Sequence, residues 1–315
     1  MELEAKYALE STSGALRNYT LGAVLVSIVV SASLFGILTT QCHYYALRFK
    51  QDPRWLKCIV AALWIIDGTH QIIVSAIIID YSVYHYGDFE YLLRGIWPIS
   101  FSIMLEPLPA LIVQLYFTYR FHHLSRKLRP VAAFTAILSI VAFAMGEACG
   151  IITYAFPRYA GKAQSFTWLV ATWLVIDCIC VIVVTIAMAR TLYTSRTAFK
   201  PTNVLLVKLM LWTVNTGALL TAFAVLEVLT FLLRKDSFIH LGANIVIAKI
   251  YSNTLLASLN QRGTLTKGGA DALHLSDNLA VSPVGSRRNR ARESSGPHPL
   301  PSLKKNRRVK NQETR

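Results

Sequence analysis

The sequence predicts an all-α integral membrane protein, a seven-helix transmembrane bundle followed by a disordered C-terminal tail. Apolar residues make up 54% of the 315 residues and charged residues only 16%, an unusual balance for a water-soluble chain. Apolar stretches of about 20 residues, long enough to cross a hydrocarbon core as a helix, recur from residue 21 to residue 259. After Gln261 the composition changes to Gly, Ser, Pro, Asn and Arg, which cannot bury enough apolar surface to offset the entropy of ordering.

These changes of composition divide the chain into three parts. We expect residues 1–19 to lie outside the membrane, residues 20–262 to form the transmembrane bundle and residues 263–315 to form a basic cytoplasmic tail. The first apolar run continues to Cys42 and is too long for a cleavable signal peptide, so we expect none. Hydropathy places the helices at about residues 20–42, 58–81, 96–119, 131–154, 167–190, 207–233 and 238–259.

Two of the predicted helices carry features that affect packing. The third contains Pro98, Pro107 and Pro109, each of which removes a backbone donor, so we expect this helix to be bent. The sixth contains Asn215-Thr216-Gly217, where a residue without a side chain favours the close approach of another helix.

Lysine and arginine are distributed unevenly between the two ends of the predicted helices. One end holds twelve, namely Arg48, Lys50, Arg54, Lys57, Arg120, Arg126, Lys127, Arg129, Arg190, Arg196, Lys200 and Lys208. The other holds seven, namely Lys6, Arg17, Arg94, Arg158, Lys162, Arg234 and Lys235. Because such residues concentrate on the cytoplasmic side, we expect the N-terminus outside and the C-terminus in the cytoplasm. The pattern does not distinguish the plasma membrane from an endomembrane.

This orientation predicts interactions on each side of the bilayer. Asn18-Tyr19-Thr20 is a sequon on the outer side, so Asn18 is a candidate for N-glycosylation. The tail holds two basic clusters that would be attracted to anionic lipids by about 1 kcal/mol per charge. Their members are Arg287, Arg288, Arg290 and Arg292, then Lys304, Lys305, Arg307, Arg308 and Lys310. A solvated tail with no specific partner is the alternative. We assign the net charge of +15 to the connections and the tail, and expect no nucleic acid partner.

Ionisable residues inside the predicted helices are the main candidates for function. They are Asp67, His70, Glu106, Glu147, Asp177, Glu227 and Lys249. Each costs about 2.5 to 3.5 kcal/mol or more at mid-membrane unless it is paired, protonated or hydrated, so their number predicts a polar interior. The candidate intramembrane polar site that could hold a small ligand consists of Asp67, His70, Glu106, Asp177, Lys249 and Asn253. Structural pairing between helices is the alternative.

The second and seventh predicted helices have the clearest polar patterns. Trp64, Asp67 and His70 are three residues apart, which puts them on one face of the second helix. On the seventh helix, polar residues share roughly one face, and its amides are expected to form interhelical hydrogen bonds. They are Lys249, Ser252, Asn253 and Asn260.

Lys249 lies near the middle of the seventh helix and needs a partner if it is in the bilayer core. In a bundle closed into a ring, the seventh helix is expected beside the second and facing the third. Asp67 is therefore the first choice of partner and Glu106 the second.

The sequence carries no sign of catalysis. It has no HExxH, GxSxG or Walker motif and no paired carboxylates in a soluble loop, so we expect no enzyme activity and no cofactor. A metal site would need further ligands at helical spacing, which the chain does not offer, whereas an Asp67–His70 proton relay is an alternative. The five cysteines form no CxxC pair, and we interpret them as core residues.

Three motifs of the chain resemble those of one family. They are Trp64-x-x-Asp67-x-x-His70, Asn215-Thr216-Gly217 and Lys249-x-Tyr251-x-Asn253-Thr254-Leu255-Leu256-Ala257-Ser258-Leu259-Asn260-x-Arg262. Together they resemble the large family of multi-pass membrane proteins of mushroom-forming fungi known only as a domain of unknown function. The resemblance covers about residues 20–262 and is most specific in the last string. It implies a seven-helix bundle without an assigned substrate, ligand or reaction.

Two other seven-helix classes fit the sequence poorly. Microbial rhodopsins bind retinal on a lysine of the seventh helix, but they place an Asp four residues before it, where this chain has Ile245. Rhodopsin-like receptors end the third helix with an acidic-Arg-Tyr motif, where this chain has Tyr119-Arg120-Phe121, and their NPxxY motif is also missing. The preferred hypothesis is a receptor-like or sensor-like membrane protein with a polar interior. A small-solute or proton-coupled transporter and a structural membrane protein are the alternatives.

Overall fold

The computed structural model describes residues 2–86, 88, 91, 96–156, 167–194, 200–233 and 239–280. Side chains are described for residues 22–86, 88, 91, 96–156, 167–191, 193–194, 215–233 and 240–261. Eight α-helices follow each other along these ranges: α1 (Glu2–Arg48), α2 (Arg54–Ile79), α3 (Trp97–Leu105), α4 (Pro107–Leu124), α5 (Arg129–Ala155), α6 (Thr167–Thr194), α7 (Lys200–Leu233) and α8 (Ile239–Ala280). A π-helical turn, Asp80–Tyr84, extends α2, and a 3-10 turn, Arg126–Leu128, precedes α5. The chain divides into two compact units, Met1–Gly269 and Ala270–Arg315.

The fold is all-helical, with no strand in the described ranges. Six stretches are long and apolar enough to span a membrane: Gly22–Arg48, Arg54–Tyr84, Trp97–Leu124, Arg126–Ala155, Thr167–Thr191 and Asn215–Leu233. They correspond to the first six predicted helices and indicate a multi-pass membrane protein. The seventh predicted helix lies within α8, which is not one of the six. The expected count of seven membrane-spanning helices is therefore not matched in the described residues. Asn244, Lys249 and Asn253 make α8 too polar to be recognised as a membrane span by its length and composition.

The ends of the chain differ from expectation. Helix α1 begins at Glu2 and not near residue 20, although the part that could span a membrane begins at Gly22. Helix α8 continues to Ala280, beyond the expected end near residue 259. Residues 281–315, with both basic clusters of the tail, lie outside the described residues, so their disorder and their binding to anionic lipids stay predictions. The side chain of Asn18 also lies outside the described part, and its glycosylation stays a prediction.

The third predicted helix is interrupted at Glu106, where α3 ends and α4 begins. Pro107 and Pro109 follow directly and cannot donate backbone hydrogen bonds to the preceding turn. The Glu106 N–H still donates to the Ser102 carbonyl over 3.2 Å. The prolines thus interrupt the helix at the residue that carries a buried carboxyl group.

Large apolar side chains point outward, and buried polar residues lie among the apolar core inside the bundle. Buried polar residues occur on all eight α-helices of the described ranges, whereas large apolar side chains are exposed on α1 to α7, for example Val26, Ile72, Ile137, Ile186 and Leu233. A water-soluble protein rarely exposes so much contiguous apolar surface. The arrangement suits a surrounding hydrocarbon phase and a polar interior.

Helix α8 lies at the centre of the bundle. Eight consecutive residues, 245–252, are buried, so this part of α8 is covered on every side. Its side chains contact α1, α2, α4 and α6 as well as Glu106. The contacts with α2 and with the third predicted helix agree with the expected neighbours, but residues 245–252 have no side toward lipid, which a member of a ring would keep.

Two glycines allow helices to approach closely. A Cβ atom at Gly217 would lie 2.5 Å from the Thr185 Cγ2 atom on α6, as expected for the Asn215-Thr216-Gly217 motif. A Cβ atom at Gly150 of α5 would lie 2.5 Å from Met104 Cγ and 3.2 Å from the Ser100 carbonyl oxygen on α3. Both contacts join neighbouring helices at a distance that a larger residue would not permit.

Candidate functional site

Lys249 forms a buried ion pair with Asp67. The Lys249 side chain is fully buried at the centre of the bundle, and its Nζ lies 2.9 Å from Asp67 Oδ1. The same ammonium group donates to the Asp67 backbone carbonyl over 2.8 Å. The first-choice partner from the sequence is therefore confirmed as a contact. In the described part of the chain, Asp67 Oδ2 and the nearby Ser252 Oγ are buried without a hydrogen-bond partner.

His70 connects this ion pair to the start of α4. Lys249 Nζ lies 3.3 Å from His70 Nδ1, and an ammonium group has only donors, so Nδ1 accepts. The ring hydrogen of a neutral His70 then lies on Nε2. That nitrogen is 3.0 Å from Ser102 Oγ and 3.5 Å from Glu106 Oε1. The contacts thus run from Lys249 through His70 to Glu106.

Glu106 is held from the opposite side by α8. Asn244 Nδ2 donates to Glu106 Oε2 over 2.6 Å, and both side chains are buried. Because Glu106 follows α3 directly and precedes Pro107, its position depends on the interruption of this helix. In the described part of the chain, Glu106 makes no hydrogen bond or ion pair with Lys249; the two charges interact over a longer distance, with His70 in contact with both.

A second polar group surrounds Asp177 on α6. Gln114 Nε2 donates to Asp177 Oδ1 over 2.8 Å, and the Tyr251 hydroxyl donates to Asp177 Oδ2 over 2.7 Å. Gln114 Nε2 is also 3.1 Å from the Tyr251 hydroxyl oxygen. Asp177 is therefore held by one residue of α4 and one of α8, and does not contact Lys249.

A small cavity joins the two polar groups. Its polar lining consists of Glu106, Asp177, Glu227, Asn244 and Tyr251, and Trp173 is among its apolar walls. About 20 Å³ of its interior is available to the centre of a water molecule, which is room for about one water. Glu106 lines this cavity and also approaches His70, so it belongs to both groups.

Asn253 does not join the ion pair through its side chain. Its Nδ2 donates to the Leu34 carbonyl over 3.1 Å, and its Oδ1 accepts from Gln41 Nε2 over 3.3 Å. Asn260 Nδ2 donates to the Gln41 carbonyl over 3.0 Å. The expected interhelical hydrogen bonds of the amides are present, but they connect α8 to α1. Lys249 contacts α2, which packs against α1, so the roughly common face of these residues is directed toward this pair of helices.

Trp64 also lies apart from the two residues with which it was expected to form one face. Its ring is 43% exposed and stacks on Phe35, and its Nε1 donates to Thr39 Oγ1 over 3.1 Å. The spacing of three residues rotates successive side chains around the helix, which brings Trp64 to α1 and the lipid side. Asp67 and His70 remain in the interior, where both contact Lys249.

Four residues of the site were not among the sequence candidates. Ser102, Gln114, Asn244 and Tyr251 hydrogen bond to the predicted site residues. Glu227 was recognised as an ionisable residue within a helix but was not selected, and the structure places it in the cavity wall. Asn244 and Tyr251 could have been found from the sequence, since they are polar residues close to Lys249 in an otherwise apolar segment. Within the described ranges, no group of three His, Cys, Asp or Glu side chains is arranged to hold a metal ion.

Comparison with known proteins identifies a family domain in the second half of the bundle. Residues 177–264 match a protein family described as "Family of unknown function (DUF6534)". No curated protein and no solved structure matches the chain. The matched range includes Asp177, Glu227 and Lys249, whereas Asp67 and Glu106 lie before it. The matched range supplies α7, the central part of α8 and several of the buried polar residues. Residues 177–264 are thus a DUF6534 domain of unknown function.

Proposed function

We propose that the protein is a seven-span, sensor-like membrane protein in which the Lys249–Asp67 ion pair is the switching element. The observation that carries this proposal is the complete burial of Lys249, whose ammonium contacts two groups of Asp67 and one of His70. Buried ion pairs seldom add net stability over apolar residues of the same volume, and setting a register or a switch is their best attested use.

The contacts of α8 give this switch a route to the cytoplasmic side. Ser258 lies nine residues after Lys249, about 14 Å along the helix axis. Its Oγ accepts a hydrogen bond of 2.9 Å from Arg120 Nη1 near the end of α4. A change at Lys249 that rotates or shifts α8 would therefore move Arg120 and the connection between α4 and α5.

The seventh span in this proposal is α8. Its central burial supports this assignment, because a helix that contacts no lipid need not be apolar enough to pass a hydropathy criterion. With seven spans, the distribution of lysine and arginine supports an outer N-terminus and a cytoplasmic C-terminus.

Hydrogen–deuterium exchange of the full-length protein in lipid tests the switch. The Asp67→Asn/Lys249→Met double variant removes both charges together, so it avoids leaving one of them unpaired. We expect faster exchange in residues 49–53 and 125–128 and in the second half of α8. The matched control is Thr118→Val/Thr135→Val, which removes a buried hydrogen bond of 3.2 Å between α4 and α5 outside this network. Changes confined to the surroundings of residues 67 and 249 would show a purely structural ion pair.

A proton-coupled transporter is the second candidate, favoured by the carboxyl groups around the cavity. Proteoliposomes containing the wild type would be tested for flux of protons, sodium, potassium, amino acids and sugars. Flux that disappears in the double variant but persists in the control would favour a carrier over a sensor.

A further inference from the structure

Glu227 differs from Glu106 and Asp177, the other acidic residues that line the cavity, in having no hydrogen-bond or ion-pair partner among the described residues. Its side chain is 4% exposed and lines the cavity beside Glu106 and Asp177. Both oxygens of Asp177 accept hydrogen bonds, and Glu106 accepts one from Asn244. The Glu227 carboxyl group makes no hydrogen bond or ion pair to any described residue. A buried polar group of this kind needs an explanation.

Among the residues whose side chains are described, none with a positive charge lies beside Glu227. The titratable groups that face it are Glu106 before α4, Asp177 and Cys178 on α6, and Tyr251 on α8. Among the described residues Lys249 is the buried lysine, and it is already bound to Asp67. A carboxylate in this position would stand beside two other carboxyl groups in a water-poor interior, which is costly unless it is neutralised.

We propose that Glu227 binds an exchangeable proton at this cavity. An O–H bond forms between a carboxylate oxygen of Glu227 and a proton delivered by water, and the same bond breaks when the proton returns to water. The cavity has room for about one water and several polar groups to hold it. A metal cation fits less well, since no set of three acidic, histidine or cysteine groups in the described ranges has the arrangement to bind one.

The position of Glu106 connects this proton to the rest of the network. Glu106 lines the same cavity as Glu227, and its Oε1 lies 3.5 Å from His70 Nε2. Loss of the proton from Glu227 would place a negative charge near Glu106 and alter the His70 and Lys249 contacts. This coupling rests on the proposed sensor function, whereas proton binding itself rests on the cavity alone.

Infrared difference spectroscopy tests the proton site directly. The full-length protein in liposomes would be compared in acidic and alkaline buffer, and a protonated carboxyl group gives a C=O band that disappears on deprotonation. We expect Glu227→Gln to remove one such band. The matched control is Glu147→Gln, which changes a half-buried glutamate of α5 that does not line the cavity. Identical difference spectra for the wild type and Glu227→Gln would overturn the proposal.

The pH dependence of thermal unfolding gives a second, independent measurement. As the pH rises and Glu227 releases its proton, the fold acquires an unpaired charge, so the unfolding temperature of the wild type should fall. Glu227→Gln should flatten this fall, while Glu227→Asp should keep it. An equal fall in the wild type and Glu227→Gln would show that the proton is bound elsewhere. Neither measurement involves the exchange rates that test the switch, so the two proposals can fail separately.

Discussion

Lys249 shows how a lysine is accommodated in the centre of a membrane bundle. An ammonium group has three N–H donors, and three acceptors on α2 surround it: Asp67 Oδ1, the Asp67 carbonyl oxygen and His70 Nδ1. The negative charge of Asp67 compensates the positive charge, and the other two acceptors replace water. The residue is therefore held by a fully occupied shell and not by a single contact.

A double-mutant cycle measures this pairing. Lys249→Met alone should destabilise the protein by about 3 to 5 kcal/mol, because it leaves Asp67 as an uncompensated buried charge. Adding Asp67→Asn should restore much of that loss, as read by thermal unfolding in detergent. Adding Glu106→Gln instead should restore less, since Asp67 contacts the Lys249 ammonium group directly and Glu106 acts on it from farther away. Strictly additive effects for Asp67 and Lys249 would contradict the pairing.

The sequence predicted the members of this site better than their arrangement. Asp67 could be chosen for Lys249 because both lie near the middle of helices expected to be neighbours. Asn244 and Ser102 could not be assigned, since their contacts depend on the rotation of α8 and on the interruption before Pro107. Glu227 lay nearer the outer end of its helix and was passed over, because sequence alone does not show which carboxyl groups share a cavity.

At the scale of the elements, the approximate positions of the six apolar helices were predictable, but the start of α1 and the role of α8 were not. Hydropathy reports the transfer of a segment from water to lipid, so it locates helices that face lipid. Residues 245–252 of α8 face only protein, and their burial arises from contacts with several other helices. The prolines of the third predicted helix indicated a bend, and the structure shows an interruption of the helix at Glu106, while the bend itself stays a prediction.

The contact of α5 with α3 at Gly150 gives a test of helix packing. In an open position of a helix, replacing glycine by alanine is favourable by up to about 1 kcal/mol. Gly150→Ala should instead lower the unfolding temperature, because the new Cβ would lie 2.5 Å from Met104 Cγ and would press on the backbone of α3. Gly36→Ala in α1 is the control, since nothing lies within 4 Å of its Cβ position. Equal effects at the two positions would mean that α3 and α5 are not in close contact there.

At the scale of the whole molecule, large apolar side chains are exposed on the outside, and buried polar residues lie within a mainly apolar core. This distribution and the six span-like helices support a multi-pass membrane protein, as the composition predicted. The sequence also predicted on which side of the membrane each end of the chain lies. This prediction rests on the distribution of lysine and arginine and not on the fold. Lysine and arginine in the connections between membrane helices carry topological information that packing does not.

An epitope tag after Arg315 tests the proposed orientation. On intact cells the tag should be inaccessible to antibody, and it should become accessible after permeabilisation. The reason is that twelve of the basic residues near the helix ends were assigned to the side of the tail and seven to the other side. A tag before Met1 is the control and should behave in the opposite way if the protein reaches the cell surface. Antibody binding to the C-terminal tag on intact cells would contradict the proposed orientation.

The polar character of α8 has a consequence for biogenesis. A lysine at the centre of a segment opposes its entry into lipid by about 2.5 to 3.5 kcal/mol, and α8 follows the other helices of the described residues. During synthesis the earlier helices reach the membrane first, and they already contain Asp67, His70 and Glu106. When α8 then enters the membrane, its lysine can exchange its contacts with water for contacts with these polar groups and not for contacts with lipid. In the proposed seven-span arrangement, the insertion of α8 would therefore depend on the correct placement of the earlier helices. A chain whose α2 is misplaced would keep α8 at the membrane surface, where quality control could recognise it.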